Sequence, residues 1–217
     1  MPGARQAWIG APEVVRLFPT FVWKARLAPR VYDRINRSVL RRLEEMRREL
    51  PPLERGTVWQ SVHALHELAP FRTLVACIDQ AVDALLAFLR SGAREVVITG
   101  CWANLSAPGA QHRMHAHPNN FLSGVYYVQV QEGANTINFH DPRAQVGIIR
   151  PPVTELTAYN TDQVVVTVEV GTLLLFPAWL PHSVDANRSE RTRISISFNV
   201  MFTEFAETVS RPLWGVP

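Results

Sequence analysis

The most constraining feature of this sequence is a change of hydrophobic period at Gly92. Before it, apolar residues recur every three or four positions over 29–50 and again over 71–89, which predicts two amphipathic helices. Two prolines follow the first helix, and Gly92 is predicted to cap the second. Both helices are expected to act as structural cover rather than as carriers of chemistry.

After Gly92 the chain consists of short β-branched or aromatic runs separated by turn residues. They predict strands at 95–105, 121–130, 136–139, 163–170, 172–176 and 191–202. Strands in unbroken succession predict a sandwich or barrel-like roll, with the helices packed on one of its sheets. A length of 217 residues with 47% apolar composition suits one domain, divided into a helical cover (1–92), a β core (93–205) and a C-terminal tail (206–217).

Composition argues against several classes of partner. The net charge of +3 is carried by scattered arginines, and those of 41–48 alternate with glutamates, which favours a solvated helix face over a nucleic-acid surface. Lys24 is the only lysine, which hints at a GC-rich bacterial genome. Cys77 and Cys101 lie in apolar surroundings and are predicted to be free thiols in a reducing cytoplasm. No apolar run is long enough for a membrane span, and no signal-peptide pattern precedes the cysteines.

Three histidines form the candidate metal site. In an extended segment residues two apart point to the same side, so His115 and His117 can offer two imidazoles to one ion. His182 is predicted to be the third ligand, brought in from a distant part of the chain. Three neutral nitrogen ligands leave coordination positions open and suit iron(II), zinc, copper or nickel, so geometry alone does not choose the metal.

Arg193 and Ser195 are expected to share one face of a strand that follows His182. A guanidinium fork and a hydroxyl on the same face can bind one carboxylate in a way that lysine does not duplicate. An arginine that points inward beside a metal histidine must be paired, since burying its charge alone is too costly. The strand therefore predicts an anionic co-substrate.

Several stretches in combination resemble a bacterial family of 2-oxoglutarate- and iron(II)-dependent oxygenases, distantly similar to prolyl hydroxylases. They are Leu17-Phe18-Pro19-Thr20, Trp102-Ala103-Asn104, His115-Ala116-His117-Pro118-Asn119, Leu122-Ser123-Gly124-Val125-Tyr126-Tyr127-Val128, Asp141-Pro142-Arg143, Gly171 to Leu180 with His182, and Arg193-Ile194-Ser195-Ile196-Ser197-Phe198-Asn199. The resemblance implies a mainly β fold with flanking helices around a double-stranded β-helix, a jelly-roll or cupin-like core. In the wider superfamily an aspartate commonly stands where this chain has His117, so the site is one negative charge poorer.

The resemblance also implies the cofactors and their contacts. Iron(II) is held by His115, His117 and His182, and 2-oxoglutarate chelates it through the 1-carboxylate and 2-keto oxygen. Arg193 binds the distal carboxylate, and the further co-substrate contacts are Tyr127, preferred narrowly over Tyr126, with Ser195 and Asn104. With O2, the implied reaction hydroxylates an unactivated C–H bond and releases succinate and CO2. Desaturation and ring formation are alternative outcomes.

The primary substrate is expected to be a small molecule such as an amino acid or a natural-product intermediate, with a peptide side chain as the alternative. The candidate contacts lie at motif edges, where loops at the mouth of the roll would carry them: Asn119, Asn120, Asp141, Arg143 and Trp179. His112 and His140 are candidates for supporting the site or for facing solvent. No nucleic acid or membrane partner is expected, and a homodimer is one expected assembly.

Two other functions compete with this interpretation. A cupin-type dioxygenase would bind its substrate directly to a three-histidine metal, and the spacing of Gly171, Pro177 and His182 resembles a cupin motif. Phe121 and Trp179 stand where that motif would need glutamate and glycine, and it would not predict Arg193. A metal-binding protein without 2-oxoglutarate would need only the histidines.

Overall fold

The computed structural model describes residue 11 and residues 13–143, 149 and 151–206. Its helices are α1 (Pro29–Arg47), α2 (Arg72–Phe88) and the short α3 (Thr203–Ala206). Its strands are β1 (Trp23–Arg26), β2 (Val58–Gln60), β3 (Val96–Ser106), β4 (His112–His115), β5 (Leu122–Gln129), β6 (Thr136–His140), β7 (Gln163–Thr167), β8 (Thr172–Pro177), β9 (His182–Val184) and β10 (Arg193–Phe202). Two single 3-10 turns, Leu65–Glu67 and Ala69–Phe71, precede α2.

The strands form two antiparallel sheets. The larger has the order β1-β8-β5-β10-β3-β2 and the smaller the order β4-β9-β6-β7. Strands consecutive in sequence alternate between the two sheets from β3 to β6 and from β7 to β10, which is how a double-stranded β-helix is wound. The predicted mainly β fold with flanking helices and a jelly-roll core is confirmed.

The two faces of the larger sheet have different partners because side chains alternate along each strand. On β3, Cys101, Ala103 and Leu105 join the apolar cluster formed with the helices, which includes Ile35 and Leu85. The residues between them, such as Trp102 and Asn104, point into the space between the sheets. The helices thus cover the outer face of this sheet, and the inner face is left for the site.

Helix α2 ends differently from the prediction, because Gly92 is not its cap. The residue in the left-handed region is Arg90, with φ of 53°. Its N–H donates to the carbonyl of Ala87 at 3.1 Å, and the N–H of Ser91 donates to that of Leu86 at 3.0 Å. This paired pattern is a Schellman motif, which ends the helix at Phe88, before the glycine is reached.

Four strands, β1, β2, β4 and β9, were not predicted from the sequence. β1 pairs with β8, β2 pairs with β3, and β9 pairs with both β4 and β6. Each is only three or four residues long, so pairing rather than a local pattern defines it. The predicted C-terminal tail, 206–217, lies outside the described residues except for Ala206.

One end of the roll is closed by two loops, β3–β4 and β9–β10. Asn187 links them: its carbonyl accepts from the N–H of Gly109 at 2.7 Å, and its N–H donates to the carbonyl of Ala110 at 2.9 Å. Its side-chain amide donates to the carbonyls of Ser106 and Arg191, at 3.1 and 2.8 Å. Within the part of the chain described above, no helix combines the length and apolar character that a bilayer span requires.

Candidate metal centre

Three histidines meet on the smaller sheet. His115 ends β4 and His182 begins β9, and the two residues are direct partners across the antiparallel ladder. His117 lies two residues after the end of β4, and its N–H donates to the carbonyl of Ala178 at 2.9 Å. His182 is distant from His115 in sequence but adjacent to it in space, because β4 and β9 pair.

Hydrogen bonds to backbone carbonyls orient two of the imidazoles. Nδ1 of His115 lies 2.8 Å from the carbonyl oxygen of Arg113, and Nδ1 of His182 lies 3.0 Å from that of Leu180. A carbonyl oxygen only accepts, so each Nδ1 carries the proton and each Nε2 keeps a free lone pair. Such contacts commonly fix the tautomer and orientation of metal-binding histidines.

The three imidazoles are close enough to hold one ion. Their ligand nitrogens lie within 4.8 Å of one another, and the ring centroids of His115 and His182 are 4.4 Å apart. Burial lowers the pKa of His117 to about 4 and that of His182 to about 3. Both rings are therefore neutral near pH 7, the state in which imidazole binds a metal.

An anion cradle lies on the facing sheet. Ser195 on β10 lies between Asn104 on β3 and Tyr127 on β5, its direct partners in register. Arg193, two positions earlier on the same face, has its guanidinium carbon 5.3 Å from the centre of the Tyr127 ring. Burial raises the pKa of the Tyr127 hydroxyl, and the guanidinium partly offsets this.

Two polar atoms in this cradle are buried without a partner. Arg193 is 3% exposed and Tyr127 is fully buried, yet among the described residues neither Arg193 Nε nor the Tyr127 hydroxyl has a hydrogen-bond partner. Within the described residues, no carboxylate lies within ion-pairing distance of Arg193. A buried unpaired charge is strongly destabilising, so this arrangement suits an anion that binds between the sheets.

The triad and the cradle line one cavity of about 60 Å³. Apart from them it is lined by Gln60, Trp102, Asn104, His112, Ser123, Gly124, Val125, Ile137, Phe176, Val184, Ser197 and Phe198. Among the described residues no aspartate or glutamate lines it. The candidate contacts His115, His117, His182, Arg193, Ser195, Tyr127 and Asn104 are thus all brought together.

A chain of side-chain hydrogen bonds that the sequence analysis missed borders the same cavity. Gln60 on β2 donates to Asn104 Oδ1 at 2.7 Å, and Asn104 donates to the hydroxyl of Ser197 at 2.9 Å. The alternation of polar residues at 193, 195 and 197 could have pointed to Ser197. No comparable signal marks Gln60, since β2 is too short to be recognised.

The candidate substrate contacts lie outside the cavity lining. The Arg143 side chain donates two hydrogen bonds to Asp141, at 2.9 and 2.6 Å, which lowers the pKa of Asp141. Asn119 occupies an exposed turn with φ of 61°, and Trp179 is 55% exposed. Asn120 donates to the carbonyl of Pro118 within the same turn. These assignments stay predictions.

The other two histidines of the sequence analysis lie in different surroundings. His112 lines the cavity and lies 3.4 Å from the hydroxyl of Ser106. His140 lies away from the lining, with Nε2 2.8 Å from the hydroxyl of Ser183. Only His112 is therefore placed to affect what the cavity binds.

Comparison with protein families gives one match. Residues 100–199 match a family described as "Putative 2OG-Fe(II) oxygenase". The matched segment contains the whole triad together with Arg193, Ser195, Tyr127 and Asn104. A comparison with curated proteins finds no match.

Solved structures share the fold at low sequence identity. A Pseudomonas putida prolyl-4-hydroxylase is 19% identical with a TM-score of 0.56, over 84% of this chain and 93% of that one. SnoK, a non-heme alpha-ketoglutarate-dependent carbocyclase from nogalamycin biosynthesis, is 14% identical with a TM-score of 0.62, over 84% and 80%. HygX from Streptomyces hygroscopicus, solved with nickel and 2-oxoglutarate bound, is 14% identical with a TM-score of 0.58, over 85% and 83%.

Proposed function

We propose, from the premise that this protein is a 2-oxoglutarate- and iron(II)-dependent oxygenase, that it hydroxylates an unactivated C–H bond of a small molecule. The observation that carries the proposal is the unpaired Arg193, buried in the same cavity as three convergent histidines. A metal-storage site would need the histidines alone. An arginine buried at the cost of its solvation needs an anion to compensate it.

The residues present fit both groups. His115, His117 and His182 would hold iron(II), for which imidazole is a suitable ligand. Arg193, Tyr127 and Ser195 would hold the distal carboxylate of 2-oxoglutarate, since a guanidinium and two hydroxyls can satisfy one carboxylate. Asn104 borders this cradle through Ser195. When bound, iron(II) with 2-oxoglutarate and O2 supplies the two-electron oxidation that hydroxylates substrate and releases succinate and CO2.

The protein contributes position and the exclusion of water. The backbone carbonyls of Arg113 and Leu180 aim two imidazole lone pairs at one point. Arg193 is fixed at the closed end of the roll, where it orients a diacid along the cavity. The apolar side chains of Val125 and Phe176 keep the surroundings dry, which strengthens each charge interaction within them.

The substrate and the setting of the enzyme are part of the same proposal. The substrate we propose is an amino acid or a natural-product intermediate, whose polar groups would be bound by Gln60 and Asn104 at the border of the cavity. We also propose that the whole chain acts as one domain in the cytoplasm of a bacterium, and that it pairs as a homodimer. The two free cysteines and the single lysine support this setting.

The first test is an anaerobic titration of the iron(II)-loaded protein with 2-oxoglutarate, followed by the visible metal-to-ligand charge-transfer band of bidentate chelation. We expect the band to appear in wild type. In Arg193→Ala the affinity for 2-oxoglutarate should be at least about 100-fold weaker, because a buried charge contact with the carboxylate is removed. Arg193→Lys should retain only part of the wild-type affinity for 2-oxoglutarate, since lysine has no planar guanidinium to bind a carboxylate through two parallel hydrogen bonds.

Arg191→Ala is the matched control, because Arg191 is exposed two positions before Arg193. Its affinity for 2-oxoglutarate should equal that of wild type, and iron content should be the same in all four proteins. Bound iron without a band in wild type would contradict the proposal. It would favour a three-histidine dioxygenase whose substrate binds the metal directly.

A further inference from the structure

His112 lies beside the anion cradle but belongs to the opposite sheet. It begins β4, where it pairs with Val184 of β9, and it is half-buried in the wall of the cavity. Its Nε2 lies 3.4 Å from the hydroxyl of Ser106. Ser106 in turn is the direct partner of Arg193 across β3 and β10. The imidazole therefore bridges the two sheets next to the guanidinium.

This bridge lies at the closed end of the roll. Ser106 ends β3 and Arg193 begins β10, so both stand where the two loops linked by Asn187 close the fold. The guanidinium also lies over the ring of Tyr127. Arg193 thus neighbours Tyr127 on β5 and, through Ser106, His112 on β4.

The charge of the surroundings agrees with this geometry. Burial, together with the nearby Arg193 guanidinium, lowers the pKa of His112 to about 4. A neutral imidazole can lie against a guanidinium without repelling it. It also leaves the positive charge of Arg193 available to the carboxylate of a ligand.

We propose that His112 is a positioning residue that backs Arg193 and so sets the length of the 2-oxo diacid that the cavity accepts. The inference rests on the proposed function, in which a diacid spans the distance between the triad and Arg193. Strand pairing holds both ends of that distance, since His115 pairs with His182 and Arg193 pairs with Ser106. Removing the imidazole would let the guanidinium withdraw by about one methylene, which favours a longer diacid over 2-oxoglutarate.

The test compares the binding of 2-oxoglutarate and 2-oxoadipate, which has one more methylene, to the anaerobic iron(II)-loaded protein by the charge-transfer band. We expect wild type to prefer 2-oxoglutarate by at least about ten-fold, the usual size of one-methylene discrimination. In His112→Ala the two dissociation constants should come within about three-fold of each other. His112→Phe, which keeps a ring in place, should retain the preference.

The matched control is Met114→Ala on the same strand, whose side chain is 62% exposed and outside the cavity. It should keep the preference of wild type. His112→Asn serves as a second variant with a smaller loss of volume, so that poor folding of His112→Ala leaves the test intact. Iron content is measured for each protein.

A purely structural role for His112 would weaken both diacids equally. An unchanged preference in His112→Ala and His112→Asn, with both diacids still bound, would overturn this inference and leave the proposed function standing. Absence of the band with either diacid in iron-loaded wild type would overturn both. The two failures are therefore distinguishable.

Discussion

Tyr126 and Tyr127 lie side by side in β5 and serve opposite faces of the larger sheet. The hydroxyl of Tyr126 donates to Asn36 of α1 at 2.8 Å, so this side chain belongs to the packing of the helices. The hydroxyl of Tyr127 faces the cavity and has no hydrogen-bond partner within the described part of the chain. Alternation along the strand thus assigns Tyr126 to the helix packing and Tyr127 to the cavity, whereas the family resemblance favoured Tyr127 only narrowly.

Gly124 lies on the same strand, where the sheet leaves no room for a side chain. A Cβ there would meet the ring of Phe198 and would lie 2.8 Å from the carbonyl oxygen of Leu174. We expect Gly124→Ala to lower the free energy of unfolding by about 1–3 kcal/mol, the usual cost of overpacking. Urea denaturation of the metal-free protein, followed by tryptophan fluorescence, measures this change.

Gly92→Ala is the control for Gly124→Ala, because a Cβ at Gly92 would have nothing within 4 Å and its φ is not in the left-handed region. Its free energy of unfolding should stay within about 0.5 kcal/mol of wild type. Equal effects of the two substitutions would show that the contact with Phe198 is not the cause.

At the scale of secondary-structure elements, the two long helices end in opposite ways. Arg48, the residue directly after α1, has φ of −52°, whereas Arg90, two residues after the end of α2, has φ of 53°. Glycine tolerates the left-handed region without steric cost, whereas in a helical position it adds only entropy to the unfolded state. We expect Arg90→Gly to raise the free energy of unfolding by about 1 kcal/mol and Arg48→Gly to lower it by about 0.5–1 kcal/mol.

Thermal and urea unfolding of both arginine variants test this difference in sign. The same arginine-to-glycine substitution is made once at a left-handed position, Arg90, and once at a right-handed helical position, Arg48. Stabilisation by both substitutions, or by neither, would contradict the Schellman geometry at the end of α2.

The elements that the sequence predicted well are those with a strong local pattern. The periods of α1, α2, β3, β5 and β10 are long enough to be recognised, and their limits differ from the prediction by only a few residues. β2 and β9 are three residues each and exist through pairing with β3, β4 and β6. Register between strands cannot be derived from local propensity. Gln60 was therefore missed, and the direct pairing of His115 with His182 was not foreseen.

On the scale of the whole molecule, Cys101 reports on the contact between the larger sheet and the helices. It is 1% exposed on the outer face of β3, and burial raises the pKa of its thiol to about 12. A thiol reacts through its thiolate, so at pH 8 it should be unreactive until the helices separate from the sheet. In a Cys77→Ser background we expect alkylation to be slow in buffer and to follow unfolding as urea is added. Alkylation as fast in buffer as in urea would contradict this packing.

Fold class and cofactor chemistry were both predictable because they depend on patterns within short segments. The succession of strands indicated the roll, which is confirmed. The resemblance of the His115, Tyr127 and Arg193 segments indicated a 2-oxoglutarate-dependent oxygenase, and residues 100–199 match the model of such a family. The residue assignments at the site stay predictions, although the structure brings the metal and co-substrate candidates together. The substrate contacts at Asn119, Asp141, Arg143 and Trp179 could not be placed by pattern, because loops follow no period.

Asn187 closes one end of the roll, and this has a consequence for the order of events in turnover. Under the proposed function, a diacid held by Arg193 at this end of the roll would have to arrive before a substrate occupies the space in front of it. Succinate would then lie behind the oxidised product and would leave last. The kinetics should therefore be compulsory-order, with 2-oxoglutarate as the leading reactant and succinate competing directly with it.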